Sequence, residues 1–115
     1  MRVGWDARIL VNGERRGMGT YASNVLQALR ECRPDIELRL FHDRSGRDGA
    51  MDDVDAREIG PKRGYRWQLW ERVGLPFHAY TQGCDLVHSP ANTTPPRCPL
   101  PRVVTLHDAL PFHDW

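Results

Sequence analysis

The sequence predicts an α/β fold, an open parallel sheet with helices on its faces. Two observations carry this. Short apolar segments of strand character alternate with segments of helical period, the pattern of strand–helix–strand units. The last two apolar runs, Asp85-Leu86-Val87-His88 and Arg102-Val103-Val104-Thr105-Leu106-His107, read as buried strands of such a sheet.

In chain order, Arg2 to Asp6 reads as a short strand entering a loop with Asn12-Gly13 and Gly17-Met18-Gly19. A helix is expected from Thr20, whose hydroxyl would cap free backbone N–H groups. Tyr21, Val25 and Leu29 recur every fourth residue, with Ala22 and Leu26 beside them, one apolar stripe at helical spacing. Pro34 stops that helix. Ile36, Leu38 and Leu40 alternate with Glu37 and Arg39, the period of a half-exposed strand running to Phe41. Residues 44–53 are rich in Gly, Asp and Arg and read as a loop, and 54–59 as a further short strand.

Tyr65 to Val73 reads as helix, with Trp67 and Trp70 three apart and Leu69 and Val73 four apart. The two tryptophans are expected in the core, since no basic stripe accompanies them to make a base-stacking platform. Pro76 is expected to open a second helical piece running to about Gln82. The stretch Ser89-Pro90-Ala91-Asn92-Thr93-Thr94-Pro95-Pro96 can be neither regular helix nor central strand.

Composition narrows the function classes. A chain of 115 residues suits one compact domain, and 40% hydrophobic with 27% charged residues is an ordinary globular balance. The formal net charge of +1 supplies no long-range field for nucleic acid, which is not expected as a partner. No apolar run reaches the roughly 18 residues of a membrane span. The opening Arg2-Val3-Gly4-Trp5-Asp6 is too charged for a signal-peptide core, so a cytoplasmic location is expected. Cys32, Cys84 and Cys98 form no Cys-x-x-Cys pair and are expected as buried free thiols.

Ligands of open parallel sheets bind beyond the carboxyl ends of the strands. The informative residues fall there: Asp6 after the first strand, His88-Ser89 and His107-Asp108 after the last two. Gly17 and Gly19 stand before a helix, where glycine lets a ligand approach the backbone and the helix end favours phosphate. An ordinary turn fits the same residues, which match neither the dinucleotide nor the phosphate-loop pattern. His107 can donate to a phosphate or a sugar hydroxyl, or move a proton near neutral pH; a capping or solvent-facing role fits it as well. The pairs His42-Asp43, His107-Asp108 and His113-Asp114 do not suggest a metal site, because strand neighbours point to opposite faces. There is no nucleophile elbow, and Ser89 is followed at once by Pro90.

Read together, four segments resemble the opening of group 1 (family 4, retaining) glycosyltransferases. They are Gly4-Trp5-Asp6-Ala7-Arg8; Gly17-Met18-Gly19-Thr20-Tyr21 with Asn24-Val25-Leu26; Asp85 through Thr93; and Val103 through Pro111. The resemblance runs from Arg2 to Phe112, and its specificity lies in the order of four individually weak motifs. It implies the N-terminal, acceptor-side Rossmann-like half of a two-domain (GT-B) enzyme, with the active site between the halves. By resemblance, His107 is the catalytic residue facing the transferred sugar. Gly17 and Gly19 would lie against the donor diphosphate or the acceptor. Asp108 would support its loop or bind acceptor hydroxyls, and Ser89 and Asn92 would line the acceptor side.

The implied co-substrate is a nucleotide-diphosphate sugar and the implied acceptor a hydroxyl of a glycan or lipid-linked sugar, with no metal or other cofactor. Polysaccharide or lipopolysaccharide assembly, cytoplasmic or peripheral at the inner face of the membrane, is implied on the same ground. The family's paired glutamates, spaced Glu-x7-Glu in the second domain, are absent. Family members extend over roughly two to three times this length, as two domains require. Residues 1–115 are therefore expected to be a partial first domain, inactive without its C-terminal partner domain and prone to self-association at an open sheet edge. The competing expectation is a non-catalytic nucleotide- or sugar-binding α/β module, and a third is a structural fragment that binds no ligand.

Overall fold

The computed structural model describes residues 1–11, 17–43, 51, 53–60, 69–91 and 93–106. Five strands form one sheet: β1 Arg2–Asp6, β2 Glu37–His42, β3 Asp55–Glu58, β4 Leu86–Ser89 and β5 Arg102–Val104. Their order is β3-β2-β1-β4-β5 and every pairing is parallel. The helices are α1 (Arg8–Val11), α2 (Gly17–Cys32) and α3 (Leu75–Thr81), the last continuing from a π-helical stretch, Trp70–Gly74. This is a Rossmann-like α/β fold.

Each face of the sheet has its own core, as strand alternation requires. Val3 and Trp5 of β1 and Leu38 and Leu40 of β2 meet Ala22 and Leu26 of α2 and Leu10 and Val11 of α1. Phe41 and Val87 meet Trp70, Leu75, Ala79 and Cys84 on the opposite side. Burying such side chains contributes about 1.5–3 kcal/mol each. α3 terminates at Gly83, whose φ of +76° is the left-handed conformation favoured by glycine.

Several expectations need correction. α2 begins at Gly17, so Thr20 lies inside the helix and does not cap it. Its buried row is Gly19, Ala22, Ser23 and Leu26, while Tyr21 is exposed and Val25 and Leu29 only flank the core. Pro76 stands in the first turn of α3, which runs from Leu75 to Thr81 directly after the π-helical stretch, so the second helical piece lies where it is expected. Leu69 and Val73 are both exposed, as are Phe77 and Tyr80. Trp70 is fully buried as expected, and Trp67 lies outside the described residues.

β5 is a strand but not a buried one. Val103 is 46% exposed, because among the described residues β5 is the sheet edge, paired on one side with β4. All three cysteines are free, but only Cys84 is buried; Cys32 ends α2 in solvent and Cys98 is half-buried. Burial raises the Cys84 thiol above its ordinary value, which keeps it protonated and inert. Among the described residues no helix is long and apolar enough to cross a membrane.

Candidate functional site at the carboxyl ends of β1 and β4

The strand order reverses at β1. The chain moves outward through β2 and β3, then returns to the other side of β1 with β4 and β5. A crevice at such a reversal, beyond the carboxyl ends, is where open α/β sheets bind ligands. Here that position falls beyond Asp6, at the end of β1, and Ser89, at the end of β4.

Asp6 receives Arg8 twice over. Arg8 Nη2 donates to Asp6 Oδ2 at 2.7 Å and Nε to Oδ1 at 3.0 Å, with the Arg8 backbone N–H 3.2 Å from Oδ1. Two residues of spacing suffice because the chain turns into α1 immediately after the strand. Arg8 Nη2 also donates to Glu71 Oε2 at 2.8 Å, and the guanidinium carbon lies 4.4 Å from the centroid of Trp70. The Trp70 indole N–H is held by the Ile59 carbonyl at 3.1 Å. Glu71 Oε2 accepts a further hydrogen bond, 2.7 Å, from Thr93 Oγ1 in the loop after β4.

This group is nearly dry: the side chains of Arg8, Asp6 and Glu71 are 7%, 8% and 14% exposed. Burial by itself lowers the Arg8 pKa. The Asp6 and Glu71 carboxylates outweigh that penalty and hold it above its ordinary value. Among the described residues one guanidinium faces two carboxylates, a surplus of negative charge that suits hydroxyl donors better than phosphates at this point.

Between β1 and β4, His88 packs edge-on against its register partner Trp5, 5.2 Å between ring centroids, and its Nε2 lies 3.3 Å from Thr105 Oγ1. Burial pushes the His88 imidazole below its ordinary pKa and favours the neutral ring. Trp5 Nε1 is buried and has no hydrogen-bond partner among the described residues. β5 feeds this side of the crevice, with the Thr105 N–H donating to the Ser89 carbonyl at 2.9 Å.

Of the residues expected at the site, Gly17 is exposed at the start of α2, with nothing within 4 Å of an added Cβ. Gly19 faces inward and is buried. Ser89 lies at the crevice but is fully buried, its hydroxyl donating to Thr94 Oγ1 at 3.2 Å, so it anchors the loop and does not line the surface. Asn92, His107 and Asp108 fall outside the described residues. Among the described residues no group of three or more His, Cys, Asp or Glu side chains is placed to hold a metal ion.

Sequence reasoning missed Arg8, Glu71 and Thr93 as site residues. Arg8 had a signal, an Asp-x-Arg step directly after a strand. Glu71 had none, standing 63 residues from its partner. Two clefts among the described residues lie elsewhere, at the amino-terminal edge of the sheet. One, about 370 Å³, is lined by residues including Arg30, Arg39 and Asp55. The other, about 430 Å³, includes Arg2, Glu37 and Asp85. Neither touches Asp6, Arg8 or Glu71. No protein-family model matches the chain, and neither the curated proteins nor the solved structures contain a match to it.

Proposed function

We propose that the chain is the acceptor-side Rossmann-like domain of a nucleotide-sugar-dependent retaining glycosyltransferase of the group 1 type. The observation that supports this best is the coincidence of the strand-order reversal with a polar, buried residue set at the ends of β1 and β4. Sugar transfer requires stabilisation of the departing diphosphate and alignment of the attacking hydroxyl. The exposed start of α2 at Gly17 offers backbone N–H groups and the positive end of a helix for the first. The Asp6–Arg8–Glu71–Thr93 group, with its surplus negative charge, suits the second. In this reading His107 faces the transferred sugar, and Asp108 and Asn92 border the acceptor.

The reaction moves a sugar from a nucleotide diphosphate to a hydroxyl of a glycan or lipid-linked sugar, with retention at the anomeric carbon. Polysaccharide or lipopolysaccharide assembly at the cytoplasmic side of a membrane belongs to the same proposal. So do a C-terminal donor-binding domain, inactivity of residues 1–115 alone, and self-association through the open β5 edge. The test is sugar transfer by the full-length reading frame with a panel of nucleotide sugars, His107→Ala beside the wild type. Nucleotide release that depends on His107 is the expected result. A folded protein that leaves every donor intact would overturn the catalytic reading and leave a non-catalytic binding module.

A further inference from the structure

Three segments remote in sequence meet at one atom, Glu71 Oε2. It accepts from Arg8 Nη2 at 2.8 Å and from Thr93 Oγ1 at 2.7 Å. Arg8 is itself fixed, gripped by Asp6 and stacked on Trp70. A continuous set of contacts therefore runs from the end of β1, through Arg8 and Glu71, to the loop that follows β4.

That loop cannot be held by a strand ladder. Pro90, Pro95 and Pro96 supply no N–H groups. Ties within and beside it include the Thr93 N–H donating to the Ala91 carbonyl, the Ser89–Thr94 hydroxyl contact, and Arg102 donating to the Pro95 carbonyl. The Glu71–Thr93 bond reaches across to Arg8, beside the end of β1.

The helix carrying Glu71 is shaped for it. The Leu75 N–H donates to the Trp70 carbonyl, a five-residue step. In an α-helix, side chains five apart point roughly 140° away from each other. Here Trp70 and Leu75 are both fully buried in the same core. The widened π turn reconciles them, and the residue beside Trp70, Glu71, is thereby brought to Arg8 and Thr93. Wide turns of this kind recur at functional sites.

We infer that Glu71 is a positioning residue, which through Arg8 and Thr93 fixes the chain around Thr93 over the carboxyl ends of β1 and β4. The consequence for hydroxyl recognition rests on the glycosyltransferase proposal; the fixing of the loop does not. Two measurements on the same proteins separate them. The first is amide hydrogen exchange at residues 91–95 in wild type, Glu71→Gln, Thr93→Val and Thr93→Ser. Thr93 is exposed, so its variants leave the core intact. The second is titration with methyl α-glucoside as a hydroxyl-bearing probe, followed by the amide signals of Thr93 and Thr94.

Exchange about tenfold faster in Thr93→Val, restored in Thr93→Ser, is the expected result, at an unchanged melting temperature. The same variant should bind the glucoside at least about tenfold more weakly. Exchange unaltered in both Thr93→Val and Glu71→Gln would overturn the positioning role. Faster exchange in a protein whose wild type ignores the glucoside would uphold the positioning role and count against the sugar-binding reading.

Discussion

Gly4 of β1 lies directly beneath Ala79 of α3: a Cβ on Gly4 would stand 3.4 Å from Ala79 Cβ, and 3.3 Å from both Cys84 Sγ and Phe41 Cε2. The absence of a side chain lets α3 settle on the sheet. A small adjustment would admit alanine, but a branched side chain has nowhere to go. Gly4→Val is expected to destabilise by about 1–3 kcal/mol through overpacking, measured by urea unfolding. A Gly4→Val protein as stable as wild type would mean that α3 is not seated as described.

Arg8 is the only cation that the described contacts place between Asp6 and Glu71. Removing it strands two nearly buried carboxylates. Arg8→Met keeps the stem over Trp70 but not the charge, and is expected to cost on the order of 3–5 kcal/mol. The check is the unfolding midpoint beside Asp6→Asn, which leaves the Arg8–Glu71 pair in place and should cost less.

His88 gives the protein a pH dependence of definite sign. Its folded pKa is depressed by burial, so the unfolded chain binds the proton more readily. The stability it contributes is complete above its ordinary value of about 6.5 and is lost as the pH falls toward the folded value. Urea midpoints between pH 7.5 and 5.5 should fall, and His88→Gln should flatten the fall, with Thr105 keeping a partner.

Gly17 separates folding from ligand contact. It is exposed in the first turn of α2 with open space around it, so Gly17→Ala should stabilise the domain by about 0.5–1 kcal/mol. If the diphosphate lies against this turn, the same substitution weakens sugar transfer by the full-length protein. A stabilised variant with undiminished transfer would remove Gly17 from the site.

Much of this architecture is legible in the sequence because the strands announce themselves by composition. Arg2 to Asp6 coincides with β1 residue for residue, and the Ile36–Phe41 and 54–59 runs lie within a residue of β2 and β3. Helix limits are less legible. Thr20 looks like a cap by residue type, but Gly17 and Met18 are already helical. The π turn at Trp70–Gly74 leaves no mark, since Leu69 and Val73 suggest an apolar face that the wider turn rotates into solvent. The site divides in the same way. Asp6 and Ser89 are found by position at strand ends, whereas Glu71 meets Arg8 only through the tertiary fold. For Ser89, position predicts its place at the strand end, but not that Thr94 engages its hydroxyl and that the side chain is fully buried.

The most direct test of the crevice is to map where a nucleotide-diphosphate sugar perturbs backbone amide signals of this chain. The account predicts changes at Asp6 to Arg8, Gly17 to Gly19 and 88–94, the region where the strand order reverses. Changes confined to the amino-terminal edge, around Arg30, Arg39 and Asp55, would contradict it, as would a folded chain that none of the nucleotide sugars perturbs.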